Sequence, residues 1–153
     1  MYDFLDKVQE PYVLKTDLTS NEFLNKLIKK YGEEIQNSLF ILDANKMKTW
    51  EALFVEFQKV MQFPDYFGHN LDAFEECMRD LYEWIEGINE YIILIINSKN
   101  LLINETNKQT TLIDSFNFIG EELSKAIQYE DKDNVNNRKA YPFHVILSEN
   151  MRV

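Results

Sequence analysis

The sequence predicts an α/β fold in which a small parallel sheet is covered by helices, and three observations predict it. The runs Leu39-Phe40-Ile41-Leu42, Tyr91-Ile92-Ile93-Leu94-Ile95-Ile96 and Phe143-His144-Val145-Ile146-Leu147 are almost wholly apolar and too short for helices, as strands buried on both faces are. Segments with apolar residues at helical spacing lie between them. The resulting order of strand, helix, helix, strand, helix, strand lacks the half-polar alternation of a sheet with one wet face. Right-handed crossovers then lay the helices against the sheet.

The elements follow in chain order. Residues 12–15 (YVLK) form a short strand, and Thr19-Ser20-Asn21-Glu22 has the spacing of a capping box. The helix it starts carries Phe23, Leu24, Leu27, Ile28 and Tyr31 on one stripe and ends at Gly32. Such a face either docks on the rest of the chain or contacts a second protein. The chain is read as an amino-terminal amphipathic extension, 1–37, packed on a main domain over 38–150.

After the strand at 39–42, Thr49 caps a helix bearing Trp50, Leu53, Phe54, Phe57, Val60 and Met61, of which Trp50 and Phe57 are expected in the core. Pro64 breaks the pattern and makes 63–68 an exposed, fairly rigid loop. Asn70 caps a third helix with Leu71, Phe74, Met78, Leu81 and Ile85 on its stripe, running to about Gly87. Trp84 follows that stripe only loosely and borders either the core or the polar face. A fourth helical pattern covers 112–127 through Ile113, Phe116, Ile119, Leu123 and Ile127, residues 129–140 read as a charged surface loop, and the strand 143–147 closes the chain.

With 153 residues, 45% hydrophobic and 27% charged, and only Gly 4 and Pro 3, the chain has the size and composition of one folded domain. The formal net charge of -10 disfavours direct binding to nucleic acid or to an anionic membrane. The longest apolar run is far short of the about 20 residues of a membrane span. No secretion signal is visible at the start, and the single Cys77 makes no internal disulfide, so the expected location is cytoplasmic.

The acids are concentrated. Residues 60–90 hold Asp65, Asp72, Glu75, Glu76, Asp80, Glu83, Glu86 and Glu90 against Arg79 alone. On the third helix Asp72, Glu76, Arg79 and Glu83 follow one another at spacings of four, three and four, with Glu75 beside them, so the carboxylates share a face opposite the apolar stripe. Like charges at i and i+4 cost a few tenths of a kcal/mol. A solvated face, a docking surface for a basic protein, and a metal or catalytic cluster are the three readings of that face.

Other reactive residues point away from catalysis. Cys77 falls toward the apolar stripe, as a buried inert thiol does. His69 is an exposed loop residue or a partner contact, and His144, inside a strand, is a semi-buried side chain with its hydrogen bonds satisfied. No tetrahedral metal spacing, phosphate loop or dinucleotide turn is present, so no cofactor and no enzyme activity are expected.

The segment Phe63-Pro64-Asp65-Tyr66-Phe67-Gly68-His69-Asn70-Leu71-Asp72-Ala73-Phe74-Glu75-Glu76-Cys77 resembles the signature of the barstar family of ribonuclease inhibitors. That signature has a proline and aromatic pair, a glycine, Asn-Leu-Asp-Ala, an apolar residue and a closely following acid. The flanking strand 39–42, the Trp50 helix and the strand beginning at Phe143 agree with it, so the resemblance covers roughly residues 38–149.

The resemblance implies a barstar-like fold, a small three-stranded parallel sheet packed with helices, here with an amino-terminal strand and helix added. It implies an immunity-type function, the blocking of a cognate ribonuclease or other basic toxin inside the producing cell by a protein that is monomeric when free. By position, Tyr66 resembles the family's contact tyrosine, Asp72 its first helix acid, and Glu76 the decisive aspartate, while Gly68 and Asn70 resemble the turn and helix-start residues. The expected partner-binding surface is Tyr66, Phe67, Gly68, His69, Asn70, Asp72, Glu75, Glu76 and Arg79.

Chemistry agrees, because a nuclease cleft is basic and two carboxylates one turn apart can stand in for successive phosphates. There are departures. Glu76 is a methylene longer than aspartate, Glu75 replaces a tryptophan of the best-known member, and Arg79 stands where it can pair with Glu76. They point to a different target enzyme. The alternative is an adaptor that keeps the fold without inhibiting.

Overall fold

The strands are the apolar runs. A computed structural model describes residues 2–135 and 137–149, so positions 136 and 150, inside the expected loop and at the expected domain end, lie outside the described residues. Four parallel strands, β1 (Val13–Thr16), β2 (Leu39–Asp43), β3 (Tyr91–Ile96) and β4 (Phe143–Ser148), form one sheet in the order β1-β4-β3-β2. β3 and β4 are buried along their whole length, as continuous apolar strands between two helical layers must be. Leu42 pairs with Ile95, and Ile95 with Leu147.

The added amino-terminal strand extends the expected three-stranded sheet to four. β1 pairs with β4 from Val13↔Val145 to Thr16↔Ser148, so the amino-terminal strand is an edge of the same sheet. α1 (Ser20–Tyr31) begins in a complete capping box between Thr19 and Glu22 and stops at Gly32, whose φ of 95° is readily reached by glycine. Phe23 and Leu27 of α1 meet Tyr2, Leu5, Ile35, Ile92, Leu94 and Ile146 on one face of the sheet. The amphipathic face is therefore covered by this chain itself.

The opposite face carries the larger core. Leu42, Tyr91, Ile93, Ile95, Phe143 and Val145 pack against α2 (Trp50–Val60), α3 (Leu71–Arg79) and α4 (Gln109–Leu123). Phe57 and Phe74 approach edge-to-face at 5.0 Å, and Phe116 lies 6.1 Å from Phe57. Burying each such ring is worth about 1.5–3 kcal/mol. Trp50 is half-buried against this cluster, and Trp84 sits under the loop, its ring nitrogen donating to the Met61 carbonyl at 3.1 Å.

Two helices end sooner than the apolar pattern suggests. α3 stops at Arg79, where the Asp80 N–H is shared between the Glu76 and Cys77 carbonyls at 3.1 Å each, and a tighter turn follows at Leu81–Glu83. Leu81 is fully buried and Ile85 packs on the core through that turn, so the apolar spacing continues after the α-helix has ended. α4 stops at Leu123 because Arg138 reaches in and donates to the carbonyls of Glu122 at 3.0 Å and Lys125 at 2.7 Å. Ile127, expected on the helix stripe, is 40% exposed and forms an antiparallel bridge with Arg138 instead.

The amino terminus is tied in from several sides. Tyr12 accepts from the Val145 N–H at 2.7 Å, and the His144 ring nitrogens lie 2.8 and 3.1 Å from the Pro11 and Lys7 carbonyl oxygens. His144 is fully buried, deeper than expected, and its nitrogens face partners as expected. Tyr12 also leans on α4, where a Cβ added to Gly120 would come within 2.4 Å of the ring. Only glycine admits that approach.

Candidate functional site

Aromatic residues hold the loop that precedes α3. Phe63 and Phe67 are buried and pack edge-to-face at 5.0 Å, Phe67 lies 5.9 Å from Phe54, and Phe63 lies 6.2 Å from Phe74. The Phe67 N–H closes a turn onto the Pro64 carbonyl at 3.0 Å. Between those two anchored rings the chain turns outward, which leaves Tyr66 72% exposed. Phe67, expected in the contact surface, has its ring in the core cluster.

Gly68, His69 and Asn70 are exposed and lead into the helix. Asn70 caps it, accepting from the Ala73 N–H at 2.9 Å through Oδ1 and donating to the Gly68 carbonyl at 3.2 Å through Nδ2. His69 takes a φ of 50°, its ring lies 4.9 Å from that of Phe67, and its Nε2 is 2.8 Å from Gln58 Oε1.

On α3 the acids divide. Asp72 and Glu76 are exposed, and among the described residues neither pairs with a cation. Glu75 is half-buried and accepts from the hydroxyl of buried Ser115 on α4 at 2.8 Å. Its expected place in the outer acidic face is therefore corrected: α4 packs beside α3, and Glu75 points across the seam. Arg79 also turns toward α4. Its Nε donates to the Glu75 carbonyl at 3.2 Å, its guanidinium lies 5.5 Å over the Phe118 ring, and its carboxylate contact is Glu122 at 4.0 Å, with no ion pair to Glu76 among the described residues.

The electrostatics place Tyr66 among these acids. Its phenol is held above its ordinary value, first by local desolvation, then by Cys77 and by the charges of Glu83, Asp80 and Glu76. The Asp80 carboxyl is also raised, first by burial and then by Glu83 and Glu76, with Arg79 and Arg138 offsetting part of this. A groove of about 620 Å³ opens beyond Glu76 between the ends of α3 and α4, lined in part by Asp80, Tyr82, Ile127 and Arg138. Cys77 is buried behind the face, its thiol pushed up to about 11 by burial and by Glu76 and Asp80.

Sequence reasoning missed Gln58, Ser115 and Glu122. Gln58 follows Phe57 on α2 and reads as an ordinary surface residue, and the other two lie some 40 residues beyond α3. Among the described residues no group of three or more His, Cys, Asp or Glu could hold a metal ion, and no helix is long and apolar enough to cross a membrane.

The arrangement offers an exposed aromatic ring and two carboxylates that pair with no cation among the described residues, on a backbone fixed from behind. No curated protein matches the chain. The family model described as barstar (barnase inhibitor) matches residues 37–148, from the residue that precedes Ser38 and β2 to the last residue of β4, and so takes in the loop and α3 entire. The chain belongs to the barstar family.

Proposed function

We propose that the protein is an immunity-type inhibitor that binds a basic ribonuclease or basic toxin and closes its active cleft with the 63–70 loop and the outer face of α3. One observation carries this reading. Tyr66, Asp72 and Glu76 are all exposed, the two acids paired with no cation among the described residues, on a loop and helix whose rear is locked by Phe63, Phe67 and Phe74. A nuclease cleft must attract a polyanion, so it offers lysine, arginine and histidine to such a face. The withdrawal of Arg79 toward Glu122 supports the reading, because it preserves the negative charge at Glu76.

The family's description as inhibitors agrees with an inhibitory and not a catalytic role. A longer acid at Glu76, and Glu75 turned toward Ser115, suit a target shaped differently from that of the family's best-known member. The protein would act in the cytoplasm of the cell that makes the nuclease, as a monomer until it meets its target.

The test is capture from the producing organism's proteins on the wild-type chain and on an Asp72→Ala/Glu76→Ala variant, followed by a ribonuclease assay of what is bound. Truncating one member of a close interfacial charge pair costs about 2–5 kcal/mol. The variant should therefore bind the captured nuclease at least about a hundredfold more weakly. Equal binding by both chains would remove the acidic face from the mechanism, and a partner without nuclease activity would favour an adaptor.

A further inference from the structure

We infer that Gln58 is a positioning residue, which holds the 63–70 loop in its presenting shape before any partner arrives. Three contacts from this half-buried residue of α2 reach both ends of the loop. Its backbone carbonyl accepts from the Phe63 N–H at 3.0 Å. Its side-chain Nε2 donates to the Pro64 carbonyl at 3.4 Å, and its Oε1 lies 2.8 Å from His69 Nε2. Only Asp65, Tyr66, Phe67 and Gly68 lie between the two anchored positions.

The chemistry of these contacts has one consistent arrangement. The Pro64 carbonyl can only accept, so the amide nitrogen of Gln58 must face it and the amide oxygen must face the imidazole. His69 Nε2 is then the donor and carries the ring proton. Turning the amide over would set two acceptors against each other at Pro64. The clamp matters because His69 has a φ of 50°, a region that a residue with a Cβ resists. The tilted contact of its ring with Phe67, centroids 4.9 Å apart, holds that backbone from one side, and Gln58 holds it from the other.

Tyr66 gains its direction from this frame. Its ring is 72% exposed, so the backbone that Gln58 and Phe67 fix is what aims it. A loop ordered in advance pays less ordering entropy on association. That consequence rests on the inhibitor reading, whereas the clamp itself belongs to the free protein and is tested there.

The experiment compares the full-length wild type with Gln58→Leu and Gln58→Glu by amide hydrogen exchange and by ring ¹⁵N NMR of His69. Leucine keeps helix propensity and leaves the buried side of α2, Leu53, Phe54 and Phe57, untouched. In Gln58→Leu the Phe67 amide should exchange about fivefold faster or more, the equivalent of one lost hydrogen bond, and the His69 ring should become a mixture of tautomers. Glutamate still accepts from His69 and no longer donates to Pro64, so Gln58→Glu should keep the Nε2–H tautomer with exchange between the other two. Unchanged exchange and an unchanged tautomer in Gln58→Leu would overturn the inference, as would Gln58→Glu behaving like leucine. No partner enters these measurements, so their failure leaves the acidic-face reading standing, and dispensable Asp72 and Glu76 would leave the clamp standing.

Discussion

Neighbouring residues meet opposite fates at this site. Tyr66 and Phe67 are both aromatic loop residues, yet one is 72% exposed and the other 6%. Glu75 and Glu76 carry the same charge, yet Ser115 takes the first and solvent the second. The signature identifies the segment, but which of two like neighbours faces outward depends on what lies behind it, and Phe54, Phe63 and Ser115 come from other parts of the chain. Cys77 was legible, because its place on an apolar stripe follows from helical spacing alone. Its thiol is raised to about 11 and its side chain is buried. Alkylation by iodoacetamide at pH 8 should therefore be at least about a hundredfold slower in the native protein than in the unfolded chain, for want of thiolate. Comparable rates would show the thiol exposed.

At the scale of elements, helix starts were read more accurately than helix ends. Thr19, Thr49 and Asn70 each accept from a backbone N–H three residues on, a local interaction written in a few adjacent residues. The ends of α3 and α4 depend on distant or competing groups, the turn at Asp80 and the carbonyl contacts of Arg138. Asp80 supplies a test. Its carboxyl is raised in the fold, first by burial, so the ionised form is disfavoured there relative to the unfolded chain. No penalty exists at low pH, where the group is protonated in both states. The penalty appears as pH rises through the ordinary carboxylate range toward the raised value, and persists above it. Asp80→Asn should then be more stable than wild type at pH 7 by a few tenths of a kcal/mol, the group being half-exposed and its neighbours' repulsion screened. The gain should vanish near pH 3. Urea unfolding at both pH values measures it, and a variant less stable at pH 7 would refute it.

Across the whole molecule, the first residues behave as part of the sheet. β1 pairs with β4 throughout, His144 faces the Pro11 and Lys7 carbonyls, and α1 covers Ile92, Leu94 and Ile146. Removing residues 1–37 would strip one helical layer from a parallel sheet that needs both faces covered. The shortened chain is expected to lose its cooperative thermal transition or to aggregate, even though the family match begins only at residue 37. A truncated chain that melts cooperatively near the wild-type temperature would make the amino-terminal unit an independent appendage.

The sequence by itself determined the fold class, the order of the elements, the helix caps and the family, because each is carried by local pattern: apolar runs, helical spacing, cap residues and one long signature. Only the tertiary structure decided that the sheet has four strands, that Glu75 and Arg79 turn toward α4 and leave Glu76 bare, and that Gln58 grips the loop at both ends. Those outcomes depend on which elements become neighbours, and that is set by burying both faces of the sheet at once.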